Sequence, residues 1–209
     1  MEIDAILNES KYRPPSLFEK QTARREIMYT KHFSQPDFTI SIRPFVNQTD
    51  LPCVVKMFNP GMIFSLINPV SSAVAASYLY SGTSDFARSF VCVLDCNLIV
   101  GSVDICKASH DELYDAVFFR KGDYILRLLV PPKKNTDYHS TVAVLTTCME
   151  YFFLFPEVVQ LFIELCDTDK EMIDLVQECG FRVYAFSDSS YSPVIVFYAN
   201  RQTPDSLIY

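Results

Sequence analysis

A strand–helix–strand order in the second half of the chain constrains the fold more than any other feature. The run DYILRLLVPP is typical of a strand, and Pro131 and Pro132 stop it. TVAVLTTCMEYFFLF is long enough for a helix and carries an apolar stripe, and EVVQLFIELC follows as a buried strand. Two strands joined by a crossover helix lie parallel in one sheet. We therefore expect the strands at about 124–130 and 158–166 to be parallel neighbours.

The same patterns predict a mixed α/β domain over residues 38–200. FTISIRPF alternates like a strand, NQTDLPCVVKMFN starts a helix, and IFSLINPVSSAVAASYLYSG continues as a second helix. ARSFVCVLD and NLIVGSVDICKA read as a β-hairpin. Asp169 caps a helix that Gly180 ends, and two strands follow. The predicted order is β-α-α-β-β-β-α-β-α-β-β.

Residues 1–37 are predicted to be an N-terminal helical extension, and residues 201–209 a frayed tail. Pro14 and Pro15 mark a helix start, and the helix is expected over 14–33. Phe18, Ile27, Met28 and Phe33 give this segment apolar surface. It either packs on the domain or contacts a protein partner.

Charge and composition exclude several classes of partner. The 209 residues are 49% hydrophobic, which is enough for a core, and carry a net charge of −7. No basic cluster is longer than the two residues of Arg24–Arg25 or Lys133–Lys134, so nucleic acid is not an expected partner. The acidic surface either attracts cationic partners or simply keeps the chain soluble.

The cysteines and histidines do not form a metal-site pattern. There are seven cysteines and three histidines, no CxxC pair occurs, and no metal is expected. Most cysteines lie in apolar runs, where a free thiol acts as a small hydrophobe. No apolar segment follows the N-terminus, so no targeting or membrane segment is expected, and the chain is predicted to be cytoplasmic.

Three segments resemble the GCN5-related N-acetyltransferase (GNAT) superfamily over about residues 38–199. FVCVLDCNLIVGSVDIC looks like its central hairpin, with Ile99–Val100–Gly101 in the usual place. DYILRLLVPP with the following loop and helix looks like its acyl-CoA unit, and CDTDKEMIDLVQECGFRVY looks like its C-terminal helix and strand. The doubled proline and KEMIDL are most similar to the branch that acylates siderophore precursors and aminoglycosides. The resemblance implies a GNAT-like sheet whose two parallel strands splay, and acyl transfer from acetyl-CoA or another acyl-CoA to an amine.

The resemblance also implies where the coenzyme binds. The family holds the pyrophosphate on backbone N–H groups at the loop–helix junction, which suit a phosphate. Its Arg/Gln-x-x-Gly-x-Gly/Ala pattern falls on Asn135, Thr136, Tyr138 and Ser140, so every glycine is replaced. The side chain of Tyr138 and the charge of Asp137 are expected to weaken binding, because strain at a non-glycine position costs about 1–3 kcal/mol. The implied coenzyme-binding residues are Leu129, Val130, Lys133, Lys134, Asn135, Thr136, Tyr138, Ser140 and Thr141.

Two aspartates are the candidate general bases. An amine must lose a proton to react, so a carboxylate or a histidine is expected near the strands. Asp167 lies close to the aspartate position of the family, and Asp104 follows an apolar run on the hairpin. For each of them a helix cap or a loop position is the alternative interpretation. Arg127 stands where related enzymes have a histidine, and Val176 stands where many have a proton-donating tyrosine, a role left to Tyr184 or Tyr191.

Two functions follow from these residues. The first is an acyl-CoA-dependent N-acyltransferase, with Asp167 or Asp104 as base and the carbonyl oxygen held near Leu129 and Val130. The second is a catalytically inactive GNAT-fold module that serves as a binding or structural subunit of a larger assembly. The missing glycines, Val176 and Arg127 favour the second function, and the fold favours the first.

Overall fold

The computed structural model describes residues 16–18, 26–57, 85–111, 117–130, 138–188 and 193–201. Eight strands form one sheet, and three α-helices lie among the described residues. The helices are α1 Asn47–Met57, α2 Tyr138–Phe153 and α3 Lys170–Glu178. The strands are β1 Tyr29–Ser34, β2 Asp37–Pro44, β3 Ala87–Leu94, β4 Leu98–Lys107, β5 Asp123–Leu129, β6 Gln160–Cys166, β7 Arg182–Asp188 and β8 Pro193–Asn200.

The sheet is antiparallel except at one place in its centre. Its strand order is β1-β2-β3-β4-β5-β6-β8-β7, and among these described strands only β5 and β6 are parallel neighbours. Their pairing runs from Asp123 opposite Gln160 to Ile125 opposite Phe162 and then stops. Beyond that point the two strands separate, which confirms the predicted parallel pair and its splay. We call the unpaired C-terminal ends of β5 and β6 the open end, and their paired N-terminal ends the closed end.

The main core lies between one face of the sheet and the helices α2 and α3. Side chains that alternate along the strands point to this face, as the pleat requires. The predicted stripe of α2 is part of this core, since Leu145 and Cys148 are fully buried while Val142 and Met149 pack against it. The buried sheet residues of this core include Ile40, Ile42, Phe90, Val103, Ile105, Leu126, Leu161, Ile163 and Phe197.

The second face carries two smaller apolar clusters with polar side chains between them. One cluster joins Val54 of α1 to Val91, Val93 and Leu129. The other lies nearer the closed end and is built on Ile125 of β5. Its remaining buried members are Ala87, Cys106, Ala108, Val117, Phe119, Phe162 and Val196.

The predicted N-terminal helix is wrong where the structure describes it. Tyr29–Ser34 is strand β1, paired with β2, and Ser16–Phe18 is a turn. Pairing along a whole strand outweighs the modest helix propensity of this segment. Lys31 Nζ also lies 2.5 Å from Glu150 Oε1 of α2, which anchors β1 to the helix. Residues 14, 15 and 19–25 of the predicted helix lie outside the described residues, as does the second predicted helix of the domain.

Residues 16–18 attach to the closed end of the sheet. Leu17 is fully buried, and its backbone N–H donates to Glu157 Oε1 at 2.9 Å. The Phe18 ring stacks on Tyr124, near the start of β5, with 5.9 Å between the ring centroids. Arg88 Nη2 donates to the Phe18 carbonyl at 2.7 Å. The described part of the N-terminal segment is therefore remote from the open end.

Candidate active site

A row of polar side chains crosses the second face of the sheet. Ser89 of β3 lies opposite Asp104 of β4, and Asp104 lies opposite Arg127 of β5. Side chains that face each other across antiparallel strands are direct neighbours. We call these three residues the polar row. It reaches β5 two residues before Leu129, so it borders the open end.

Asp104 is a carboxylate of the polar row whose pKa is shifted by its surroundings. The residue is half-buried, its Oδ1 is closed off from solvent, and that atom has no hydrogen-bond partner among the described residues. Burial raises the pKa of Asp104 to about 7, because a charge in an apolar environment is unfavourable. The nearby Ser89 hydroxyl opposes this rise in the pKa. Asp104 can therefore exchange a proton near neutral pH.

Arg127 is held by an ion pair rather than presented as a base. Its Nη2 lies 2.6 Å from Asp111 Oδ2, and the Asp111 side chain is only 1% exposed. Cys106 Sγ donates to the same carboxylate oxygen at 3.3 Å. Burial lowers the pKa of Arg127 and the nearby Glu164 opposes that shift, but a guanidinium stays charged in proteins. Arg127 is thus a fixed positive charge between carboxylates.

The two predicted bases are not brought together. Asp167 follows the last residue of β6, and its backbone N–H donates to the Pro193 carbonyl at 3.2 Å. It borders a shallow groove with Lys170 and Phe186. Asp104 lies on β4 and Asp167 follows β6, so strand β5 lies between them.

The predicted thioester site forms the lip of the open end. Leu129 and Val130 are both buried. A Cβ atom placed on Gly101 would lie 3.1 Å from the Leu129 carbonyl oxygen and 3.3 Å from Val130 Cγ1. The absence of a side chain at Gly101 therefore lets β4 and the end of β5 approach closely.

The predicted pyrophosphate site is described only in part. Tyr138, Ser140 and Thr141 lie in the first turn of α2, which supplies helix N-terminal N–H groups at the predicted junction. Lys133, Lys134, Asn135 and Thr136 lie outside the described residues.

Sequence reasoning missed Ser89 and Asp111 and left the tyrosine donors open. Ser89 is one polar residue in an apolar strand, and its only signal is the cross-strand register with Asp104. Asp111 lies in a loop whose folding back onto β5 no local pattern shows. Val176 is fully buried in the main core. Tyr184 lies at the closed end, where its hydroxyl donates to the Phe118 carbonyl. Tyr191 lies outside the described residues.

The described residues contain neither a metal-site cluster nor a membrane-spanning helix. In that part of the chain no three His, Cys, Asp or Glu residues come together as a metal site. No helix there is both long enough and apolar enough to cross a membrane.

Several solved structures share this fold at low sequence identity. An uncharacterized Bacillus halodurans protein has a TM-score of 0.73 at 14% identity, covering 83% of this chain and 90% of that chain. The aminoglycoside acetyltransferase AAC(6')-Ib, solved with coenzyme A, has a TM-score of 0.67 at 14% identity. The match covers 81% of this chain and 99% of that chain. The Vibrio cholerae spermidine N-acetyltransferase, solved with CoA and spermine, has a TM-score of 0.61 at 14% identity. The match covers 78% of this chain and 95% of that chain. No family model and no curated protein sequence matches the chain.

These similarities confirm the predicted fold class. The chain has the mixed α/β fold of GNAT acetyltransferases. Aminoglycoside and spermidine enzymes are both similar to it, so the fold does not single out the predicted branch.

Proposed function

We propose that this chain is an N-acyltransferase that moves an acetyl or other acyl group from acyl-CoA to an amine. The observation that carries the proposal is the open end, where β5 and β6 separate beyond Ile125 and Phe162 beside a row containing Asp104. A gap between parallel strands accepts an extended chain such as pantetheine. A carboxylate with a pKa near the working pH suits the removal of a proton from an amine.

The proposed reaction is a direct transfer at the lip of the open end. The amine nitrogen attacks the thioester carbonyl carbon, the carbon–sulfur bond breaks, and the coenzyme leaves as a thiolate that takes up a proton. The carbonyl oxygen lies against the backbone of Leu129 and Val130, where N–H donors stabilise its developing charge. The N-terminal turn of α2, together with Lys133 and Lys134, holds the pyrophosphate.

Asp104 is the preferred base and Asp167 the second candidate. Asp104 shares the second face with Leu129, because Ser102 pairs with Leu129 and Asp104 is two residues further along β4. That separation is about 7 Å along the strand, which one intervening water spans. Asp167 borders the groove by Phe186 instead.

A cationic amine is the expected acceptor. The net charge of −7 attracts cations, and similar folds were solved with the aminoglycoside kanamycin and with spermine. The branch that acylates siderophore precursors and aminoglycosides stays a prediction.

Calorimetric titration with acetyl-CoA tests the coenzyme site. Binding is expected in the micromolar to millimolar range, since the loop lacks glycines. The double variant Asp137→Gly, Tyr138→Gly is expected to bind more tightly, because strain and charge repulsion are both relieved. The absence of heat at about 1 mM acetyl-CoA, in both proteins, would contradict the proposal.

A catalytically inactive GNAT-fold module in a larger assembly is the second candidate function. Arg127 in its ion pair with Asp111 and the buried Val176 both favour it, since neither residue can move a proton. Release of free coenzyme thiol in the presence of an amine panel separates the two functions. Binding of acetyl-CoA without any release would support the inactive module. A protein partner of the N-terminal segment and a cytoplasmic location also stay predictions, which pull-down and fractionation from the source cells would test.

A further inference from the structure

The closed end of the sheet carries a groove that is separate from the proposed acyl site. Its volume is about 400 Å³, a size typical of small-molecule sites. Asp123 begins β5 and Leu129 ends it, so about 20 Å of strand separates the groove from the open end. We call it the closed-end groove. Its lining residues used below are Phe118, Arg120, Asp123, Gln160, Tyr184 and Asn200.

The floor of the closed-end groove is a line of three polar side chains on adjacent strands. Asp123 of β5 pairs with Gln160 of β6, and Gln160 pairs with Asn200 of β8. Gln160 Nε2 donates to Asn200 Oδ1 at 2.5 Å, which fixes both amide groups. Gln160 Oε1 then remains an acceptor, and Asn200 Nδ2 remains a donor.

Asp123 is a buried carboxylate that lines the groove. It is 5% exposed, and its Oδ2 accepts the Arg120 backbone N–H at 2.6 Å. An ionised carboxylate has about four acceptor positions on its two oxygens, so Asp123 can also accept a hydrogen bond from an O–H or N–H group of a ligand.

The wall of the groove is aromatic and held in place. The Tyr184 hydroxyl donates to the Phe118 carbonyl at 2.8 Å. The Tyr184 ring packs edge-on against Phe162 and Tyr198, with centroid distances of 5.2 and 5.7 Å. The Phe118 side chain is 76% exposed, which leaves a large apolar surface beside the polar floor. The groove thus combines an aromatic wall, in which the Tyr184 ring is held by its neighbours, with a floor of mixed donors and acceptors.

We propose that the closed-end groove binds a neutral polyhydroxylated ring, a hexopyranose, through its hydroxyls on the floor and its C–H face on the aromatic wall. Vicinal hydroxyls both donate and accept, which matches Asp123, Gln160 and Asn200 in one line. A wholly apolar ligand would leave these three groups unpaired. Arg120 and Asp123 together give the groove no net charge, so neither an anion nor a cation is favoured. This site is independent of the proposed acyl transfer.

Saturation-transfer NMR on the full chain tests the site, with D-glucose, D-galactose and D-mannose as probes. At least one of them is expected to bind with a Kd of about 1–10 mM, the range of a small ligand with few contacts. Phe118→Ala and Asn200→Ala each change an exposed side chain and are expected to weaken binding about tenfold or more. Phe186→Ala is the matched control, because Phe186 is also 76% exposed but borders the other groove.

Three results would overturn the proposal. They are no saturation transfer to any of the sugars at about 50 mM, unchanged binding in both Phe118→Ala and Asn200→Ala, and equal loss in Phe186→Ala. Circular dichroism melting of each variant shows that it is folded. Adenosine is included as a flat aromatic ring, and its binding in place of the sugars would also overturn the proposed ligand class.

Discussion

At the residue scale, Asp104 and Asp50 show how packing moves the pKa of a carboxyl in either direction. Burial raises the pKa of Asp104 to about 7, because removal from water disfavours the charged form. Burial acts in the same direction on Asp50, but Arg43 and the Val46 N–H outweigh it and lower that pKa. Two Arg43 nitrogens lie 2.6 and 2.8 Å from the Asp50 carboxylate. Asp104 is therefore suited to proton exchange, and Asp50 to structure.

Asp104→Asn is expected to stabilise the protein at pH 8 and to change it little near pH 4. The folded pKa of about 7 lies above the unfolded value near 4, so wild-type stability falls as pH rises between them. The gain in the free energy of unfolding at pH 8 is on the order of 2–4 kcal/mol. The upper value corresponds to a difference of about three pKa units between the folded and unfolded states. Urea unfolding at both pH values measures it. A gain that is equal at pH 4 and pH 8 would show that Asp104 titrates normally. Loss of acyl transfer in the same variant is expected if Asp104 is the base.

Asp50→Asn is expected to destabilise the protein by about 3 kcal/mol at pH 7, because it leaves the buried Arg43 charge without its partner. The Asp50 side chain is 1% exposed. Because the folded pKa is lowered, this loss is present above about pH 4 and shrinks as pH falls through the folded pKa. Asp37→Asn is the matched control, since Asp37 pairs with His32 at the surface and is 83% exposed. An equal change in the free energy of unfolding for both substitutions, measured by urea unfolding, would contradict the structural role of the Asp50–Arg43 ion pair.

At the element scale, the turn before β5 fixes the parallel pairing of β5 and β6. Gly122 has a φ of +97°, and its carbonyl accepts the Val159 N–H at 2.8 Å. That bond joins the start of β5 to the residue before β6. The turn thus aligns Asp123 with Gln160, and this alignment sets both the splay and the floor of the closed-end groove.

Gly122→Ala is expected to destabilise the fold by about 2–3 kcal/mol. A Cβ atom there would lie 2.6 Å from Val159 Cγ2 and 3.2 Å from the Glu157 carbonyl oxygen, in addition to the positive φ. Lys121→Ala, in the same turn but exposed, is expected to have almost no effect. Thermal unfolding of both variants measures the difference, and a Gly122→Ala protein as stable as Lys121→Ala would refute this role of the turn.

At the scale of the whole molecule, one sheet connects the open end to the closed end. The open end lies where β5 and β6 part, and the closed end is held by pairing and by Leu17 and Phe18. The N-terminal segment contributes an edge strand and a fully buried leucine to the sheet. Its described residues are therefore part of the folded domain and do not cover the open end.

Deletion of residues 1–34 is expected to lower the melting temperature without any gain of acyl transfer. The deletion removes β1 and exposes the main core that Leu17 covers. Leu17→Ala alone should cost about 2–5 kcal/mol, the range for a buried leucine. Ile27→Ala, 46% exposed, serves as the control with little effect. A truncated protein that transfers acetyl groups faster than the full chain would make the segment an inhibitory lid, contrary to its position here.

The sequence by itself determined the order of the described strands and helices from residue 38, the parallel pairing of β5 and β6, and the cap of α3 by Asp169. These features follow from the periodicity of apolar residues, from proline and capping residues, and from the order of elements along the chain. All of these can be read from short stretches of sequence. Only the tertiary structure decided that Tyr29–Ser34 is a strand, because its partner β2 supplies the hydrogen bonds. It also decided that Ser89, Asp104 and Arg127 form a row while Asp167 lies apart. Strand register and the loss of water around a carboxylate depend on residues far apart in sequence, and no local pattern carries that information.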